Sequence, residues 1–226
     1  MFDRGHLARG IACLRSYLQH GGTSAFALCL EEGYEDKLSA GVVPLRLAEL
    51  EARWPSIAAT KATRERRSYI YSLKAFLAEM VLDRVAEGDE VLYADSDMFF
   101  FGDPREIKLG ELTFGAALVS IRSSLRFNAG LFLCRRSAFL SWWQSCVLAC
   151  CHTLAWQDEM YLNLLLEGWL GSGPLPQEGV NVGHWSQLPP AVVCYHFQAP
   201  LKIPLGHEAF HAAYDAALEE VIHGLD

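Results

Sequence analysis

Segments in which apolar residues recur every three or four positions alternate along the chain with short apolar runs. His6 to His20 has leucine and isoleucine at helical spacing and ends before two glycines, which predicts a helix. Arg67 to Glu87 is the clearest helix, with one apolar stripe and a stop at Gly88. Three further helices are predicted at Ser137–Cys151, Gln157–Gly168 and His207–His223.

The apolar runs between these helices predict strands. They are "AFALCL" (Ala25–Leu30), "EVLYA" (Glu90–Ala94), "TFGAALVSI" (Thr113–Ile121), "FNAGLFLCR" (Phe127–Arg135) and "AVVCYHF" (Ala191–Phe197). Because strands alternate with helices, we predict an α/β sandwich with a mostly parallel sheet, in which ligands lie beyond the carboxyl ends of the strands. The sequence contains no repeat or linker, so we expect residues 1–226 to form a single domain.

The composition of the chain limits the classes of protein to which it can belong. With 51% hydrophobic and 20% charged residues, the chain favours a large core over disorder. The net charge of -8 and the scattered basic residues argue against a nucleic-acid partner. Seven cysteines, mostly within apolar runs, indicate reduced thiols. We find no apolar run of membrane-spanning length and no signal peptide, so we expect a cytoplasmic protein, with peripheral association at a membrane surface left open.

Two aspartates interrupt the densest apolar stretch. Asp95 and Asp97 follow "EVLYA", and in an extended chain residues two apart point to the same side, roughly 6.5–7 Å apart. Two carboxylates this close repel unless a cation lies between them, and hard oxygen ligands suit Mn²⁺ or Mg²⁺. The pair therefore predicts a divalent metal that carries a diphosphate. The alternative is a strand-end turn in which the aspartates cap neighbouring amides.

Several motifs in order resemble one family. "VLYADSDMFFFGDP" resembles the "YLDADxxxxxDP" signature of nucleotide-sugar glycosyltransferases of the GT-A fold, especially glycosyltransferase family eight and its bacterial relatives. The resemblance extends from Phe2 to about Pro204. Four further segments match in the family's order: "FDRGHLARGIACLRSYLQH", "RFNAGLFLCRRS", "WQDEMYLN" and "YHFQAPLKI". The resemblance implies a GT-A-like three-layer α/β/α sandwich with a mixed, mostly parallel sheet.

By this resemblance, Asp95 and Asp97 are metal ligands, and Asp95 also contacts the donor. His196 matches the histidine that completes the metal site, and imidazole binds Mn²⁺. The alternative for His196 is a core histidine whose hydrogen bonds are satisfied. Lys202 matches the lysine that holds the diphosphate, although the neighbouring glycine of the family is Ala199 here.

Other matches concern the sugars. Asn128 is expected to bind sugar hydroxyls and Gly130 to allow close approach, the alternative being a β-bulge with a capping asparagine. Asp158 matches an aspartate that contacts the donor sugar, and Glu159 stands where the family has glutamine. Asp158 and Glu159 also fit an ordinary helix N-terminus, where acidic residues favour the dipole.

The nucleotide is expected to lie near the start of the chain. Of Arg64, Arg66 and Arg67, we take Arg67 as the arginine that reaches the nucleotide or the aspartate pair. Asp3 matches the acidic residue that reads the uracil edge. The family's first strand would precede Asp3, so we expect that strand to be truncated here.

These matches predict a metal-dependent glycosyltransferase. The resemblance implies a UDP-sugar donor, transfer with retention, and a hydroxyl acceptor on a glycan, a glycolipid or a small molecule. Two alternatives remain open. One is a degenerate transferase that binds a nucleotide sugar without turnover, which Glu159 and the short N-terminus favour. The other is a phosphohydrolase of the haloacid dehalogenase class, weakened because no late acidic pair follows Gly173 at a strand end.

Overall fold

The computed structural model describes residues 1–121, 124–149, 162–163, 165–166, 168–175, 179–180, 189–197, 203 and 206–225. Its helices are α1 (Leu7–Gln19), α2 (Leu47–Arg53), α3 (Pro55–Thr60), α4 (Arg66–Ser72), α5 (Lys74–Leu82), α6 (Ala138–Ala149) and α7 (Glu208–His223). Its strands are β1 (Ala25–Cys29), β2 (Val42–Arg46), β3 (Val91–Ala94), β4 (Met98–Phe100), β5 (Phe114–Ile121), β6 (Ser124–Cys134), β7 (Ser172–Pro174) and β8 (Cys194–His196).

The largest sheet has the strand order β3-β6-β5-β7. Strand β6 is antiparallel to both β3 and β5, whereas β7 is parallel to β5. Strands β3, β5 and β7 therefore run in one direction and β6 in the other, which confirms the predicted mixed sheet. Two smaller pairs complete the described strands: β1 with β2 in parallel, and β4 with β8 antiparallel.

Helices cover both faces of the sheet. Along β6, Phe132 and Cys134 lie in a cluster with residues of α5 and α6, whereas Leu131 and Leu133 lie in a cluster with Cys13 of α1. This alternation is the two-residue period of a strand that is buried on both faces. Helix α7 contacts α1 on the outside of the second face. The predicted three-layer sandwich is confirmed.

The helix predicted over Arg67–Glu87 is divided and shorter. The structure has α4 and α5, joined at Leu73, whose amide donates to the Ile70 carbonyl three residues back and so tightens the turn. The second helix ends at Leu82, six residues before Gly88. Beyond it, Asp83 binds the guanidinium groups of Arg53 and Arg136 at the surface. The predicted apolar stripe is nevertheless buried.

The N-terminal segment lies beside β1. Phe2 forms an isolated parallel bridge with Cys29, in which the Phe2 amide donates to the Leu28 carbonyl and the Leu30 amide donates to the Phe2 carbonyl. This bridge places Asp3 at the carboxyl end of β1. The expectation of a truncated first strand is not tested by this contact.

Candidate metal and donor site

The backbone fixes both aspartates at the carboxyl end of β3. The Asp95 amide donates to the Gly130 carbonyl at 2.8 Å, which prolongs the pairing of β3 with β6. The Asp97 carbonyl accepts from the Phe197 amide at 2.7 Å, which prolongs the pairing of β4 with β8. The Met98 amide also donates to the Asp95 carbonyl at 3.1 Å, so the two aspartates lie in a turn between β3 and β4 and not in the extended segment that was predicted.

The pairing of β4 with β8 brings His196 to the aspartates. Met98 lies opposite His196 in this antiparallel pair, so the imidazole stands next to Asp97, with 3.2 Å between Nε2 and Oδ1. One ligand atom from each of Asp95, Asp97 and His196 lies within 4.8 Å of the others. His196 is almost fully buried, while about a quarter of each carboxylate side chain is exposed, at 26% and 25%. The three groups thus form a pocket that opens on the carboxylate side.

The donor set and the space around it fit a divalent cation. Two oxygens and an imidazole suit Mn²⁺ or Mg²⁺, and ligands at right angles about an ion some 2.1 Å away are about 3 Å apart, close to the Asp97–His196 separation. Gly130 leaves this space open. A Cβ at that position would lie 3.0 Å from Oδ2 of Asp95, 3.1 Å from Cε1 of His196 and 2.6 Å from Oδ1 of Asn128.

The charges around Asp97 favour its ionised form. Burial is the largest single influence and raises the pKa of Asp97, but the hydrogen bond and the charge of His196, a backbone hydrogen bond and the charge of Lys74 together hold the pKa below its ordinary value. The ionised carboxylate is the form in which Asp97 ligates a metal.

Lys74 is a site residue that the sequence analysis missed. Its ammonium lies 3.1 Å from Oδ2 of Asp95 and donates to the Ala129 carbonyl at 3.3 Å, while the Tyr93 hydroxyl donates to Oδ1 of Asp95 at 2.6 Å. Both carboxylate oxygens of Asp95 are therefore held. The signal in the sequence was a lysine inside the apolar stretch of a helix, because buried lysines nearly always have a partner.

The arginines at and just before the start of α4 take different positions. Arg67, the predicted nucleotide contact, donates to the Tyr71 hydroxyl at 2.7 Å, and the Tyr71 ring lies 5.1 Å from the Lys74 ammonium. Arg67 is thus linked to the site indirectly, because Tyr71 contacts both Arg67 and Lys74. Arg64 is buried and donates to Ser72 and to the Val147 carbonyl, which ties the start of α4 to α6.

Asp3 forms a charged cluster at the carboxyl end of β1. Its carboxylate contacts His6 at 2.8 Å and Arg66 at 3.2 Å, and Arg66 also pairs with Glu31 at 2.8 Å. The role predicted for Asp3 stays a prediction.

The pairing of β6 with β5 becomes irregular at Asn128. Ala116 of β5 pairs with Phe132 and Ala117 pairs with Asn128, so three residues of β6 bulge beside the metal pocket. The buried Asn128 side chain accepts from the Gly130 amide at 2.9 Å. The sequence analysis left open that Asn128 caps a β-bulge, and the backbone here has that form. The same bulge places Gly130 beside the metal pocket. Asp158, Glu159 and Lys202 lie outside the described residues, and their roles stay predictions.

Comparison with known proteins places the fold. No family model matches the chain. The uncharacterized protein YfnF of Bacillus subtilis (strain 168) is 24% identical over 217 residues, which cover 82% of this chain and 70% of YfnF. The glycosyltransferase GlyE of Streptococcus pneumoniae TIGR4 superposes with a TM-score of 0.61 at 17% identity, over 99% of this chain and 62% of GlyE.

LgtC, a galactosyltransferase, superposes equally well as an active-site mutant in which glutamine is replaced by glutamate. The TM-score is 0.60 at 17% identity, and the match covers 95% of this chain and 94% of LgtC. This chain spans less than two thirds of GlyE but nearly all of LgtC. The chain therefore has the GT-A fold of these glycosyltransferases, as predicted. Within the described residues, no helix combines the length and apolar character needed to cross a membrane.

Proposed function

We propose that this protein is a metal-dependent glycosyltransferase related to family eight, which transfers a sugar from a UDP-sugar to a hydroxyl acceptor with retention. The observation that carries the proposal is the convergence of Asp95, Asp97 and His196 around the space left by Gly130. The fold supports it, because GlyE and LgtC share this architecture.

Each residue has a role in this proposal. Asp95, Asp97 and His196 hold Mn²⁺ or Mg²⁺, and the bound cation supplies a Lewis acid for the diphosphate leaving group. Lys74 and Tyr93 orient the Asp95 carboxylate by occupying both of its oxygens. Asp97 in turn orients the His196 imidazole.

The donor contacts follow the resemblance. Lys202 adds a cation that stabilises the charge developing on the diphosphate. Asp3 reads the nucleotide base, and Arg67 lies on the nucleotide side of the cleft. Asn128, Asp158 and Glu159 bind sugar hydroxyls, with Gly130 giving them room. The acceptor is a hydroxyl of a glycan, a glycolipid or a small molecule, and the protein works in the cytoplasm, at a membrane surface when the acceptor is a lipid.

A panel of UDP-, GDP- and CMP-sugars tested by thermal shift, with and without Mn²⁺, examines this proposal. Ligand at about 100 times its Kd stabilises the native state by about 2.7 kcal/mol, which is roughly 5–11 °C for a domain of this size. We expect this shift for a UDP-sugar with Mn²⁺. A larger response to GDP- or CMP-sugars would contradict the choice of donor.

Two variants test the metal site. Asp97→Ala removes a ligand and should abolish the Mn²⁺-dependent part of the shift. Asp36→Ala changes an exposed aspartate that is not one of the three proposed ligands and should leave it intact. An unchanged shift in Asp97→Ala contradicts the assigned role.

Turnover separates the alternatives. Mn²⁺-dependent hydrolysis or transfer of the UDP-sugar supports the transferase. Binding without any turnover at high protein concentration identifies the degenerate form that Glu159 suggests. Phosphatase turnover without UDP-sugar hydrolysis favours the phosphohydrolase, which the GT-A fold makes the weaker alternative.

A further inference from the structure

The outer face of α6 is exposed and carries no charge. The 12 residues Ala138–Ala149 include no aspartate, glutamate, lysine or arginine. One face of the helix is buried in the core through Phe139 and Trp143, while Trp142 and Ser145 on the other face are exposed. The solvent side of a surface helix is normally charged or polar, and a helix that is apolar all round is normally buried. The composition of α6 therefore predicts that a partner covers its outer face.

Large apolar side chains gather beside this face. Trp142 is 56% exposed, and its ring lies 6.1 Å from the ring of Trp169. Leu170 follows Trp169 in the chain and is 96% exposed. Exposed apolar residues are normally scattered singly, whereas a contiguous group marks an interaction surface, and tryptophan is enriched among the residues that contribute most to binding. The group thus has the composition of the centre of a protein interface.

The group lies at the opposite end of the sheet from the metal pocket. Leu170 precedes β7 by two residues, and the start of β7 is level with the starts of β5 and β3 across the sheet. Asp95 follows the end of β3, so it lies roughly 13 Å further along the strands. A partner bound at Trp142 and Leu170 would therefore leave the metal pocket open.

The charges favour a second copy of the chain over a lipid surface. Helices that lie in a membrane surface usually carry lysine and arginine beside their apolar face, and α6 has neither. Two copies of a chain with a net charge of -8 repel each other, and they approach at least cost where the surface is uncharged. Just before α6, Asp83 contacts Arg53 and Arg136, so the margin of the face holds both signs of charge and can pair with its own copy.

The dimensions of α6 suit a two-fold symmetric contact. A helix of 12 residues is about 18 Å long, and an axis that crosses it places the two copies of α6 antiparallel, so that their dipoles attract. A standard interface covers about 800 Å² on each partner and has an apolar centre with a polar rim. The outer face of α6 with Trp169 and Leu170 supplies the centre, and the adjoining α3 and the ion pairs of Asp83 supply the rim.

We propose that the outer face of α6, together with the turn at Trp169 and Leu170, binds the same face of a second copy of this chain. The product is a two-fold symmetric homodimer in which both metal pockets stay open. This inference does not depend on the proposed enzymatic activity.

The mass of the protein in solution tests the proposal without donor or metal. We expect light scattering to give twice the chain mass of 25.2 kDa at micromolar concentration, and the melting temperature to rise with protein concentration. Ser145→Arg places a cation one turn from Trp142 on each copy, and like charges facing each other should raise the dimer Kd about a hundredfold or more. The Ser145 hydroxyl donates to the Ser141 carbonyl of its own helix, so this change leaves the packing of the core intact.

Two control variants should remain dimeric. Ser145→Ala keeps the face uncharged, and Ile222→Arg adds the same charge at an exposed position of α7, on the other side of the sheet. A monomeric parent at micromolar concentration, or a dimer that persists in Ser145→Arg, would overturn the proposal. Loss of the dimer in Ile222→Arg as well would place the contact elsewhere. Flotation of the parent, but not of Ser145→Arg, with phosphatidylcholine vesicles and without dimerisation would assign the face to a lipid surface instead.

Discussion

The ammonium of Lys74 lies 3.1 Å from Oδ2 of Asp95, and only 5% of the lysine side chain is exposed. The pair joins the beginning of α5 to the end of β3, directly behind the proposed metal pocket. A cation is thus built into the chain next to the Asp95 carboxylate.

Replacement of Lys74 by methionine should destabilise the metal-free protein by about 2–4 kcal/mol, because a largely buried carboxylate loses its partner. Mn²⁺ should recover part of this loss, since both cations compensate the same carboxylate. We therefore expect a larger Mn²⁺-dependent rise in melting temperature in Lys74→Met than in the parent chain. Lys61→Met is the control, because Lys61 pairs with Glu51 at the surface. An Mn²⁺ response in Lys74→Met no larger than that of the parent would refute this coupling.

A methyl group at Gly130 should close the metal pocket. Gly130→Ala places a Cβ within 3.1 Å of Asp95, Asn128 and His196, and we expect Mn²⁺ affinity, measured by calorimetry, to fall at least tenfold. Gly168→Ala is the matched control, because a Cβ there meets no atom within 4 Å. Tight Mn²⁺ binding by Gly130→Ala would show that the ion lies elsewhere.

Replacement of Arg64 should lower the stability of the fold, whereas replacement of Arg66 should weaken ligand binding. Arg64→Ala leaves the buried Ser72 hydroxyl and Val147 carbonyl without this donor and should cost about 2–3 kcal/mol in chemical denaturation. Arg66 is 65% exposed, so Arg66→Ala should change stability by less than about 1 kcal/mol. It should instead weaken UDP-sugar binding through the loss of its contact with Asp3. Equal effects of the two variants on both measurements would contradict this division.

Stability should fall in mild acid because of His207. Burial, aided by the charge of His211 and opposed by Glu208, holds the pKa of His207 below its ordinary value of 6.5. Above pH 6.5 both folded and unfolded states carry neutral His207, so its contribution is complete. Below 6.5 the unfolded state binds the proton first, and stability falls as the pH drops through the folded-state pKa.

Denaturation curves at pH 7.5, 6.5 and 5.5 measure this effect. His207→Gln, which can retain a hydrogen bond to the Tyr195 hydroxyl, should show a shallower loss between pH 6.5 and 5.5 than the parent. His223→Gln, at the exposed end of α7, should follow the parent. Parallel curves for His207→Gln and the parent would assign the acid sensitivity to other groups.

Local patterns in the sequence determined much of the fold. Helical spacing located α1, α6 and α7, apolar runs located β1, β3, β5, β6 and β8, and their alternation indicated the class. These features depend on interactions between residues only a few positions apart, which a single sequence displays directly. The sequence also singled out Asp95 and Asp97 as a pair, but the extended geometry predicted for them is wrong, because Ser96 and Asp97 lie in a turn between β3 and β4.

The tertiary structure decided which distant residues meet. The register of β4 with β8 brings His196 to Asp97, and the start of α5 brings Lys74 to Asp95. The sequence could indicate that Lys74 has a partner, but not that the partner is Asp95. The tertiary structure also brings Arg66 to Asp3. Strand register and helix packing depend on the burial of whole faces, so these contacts arise only when the complete chain has folded.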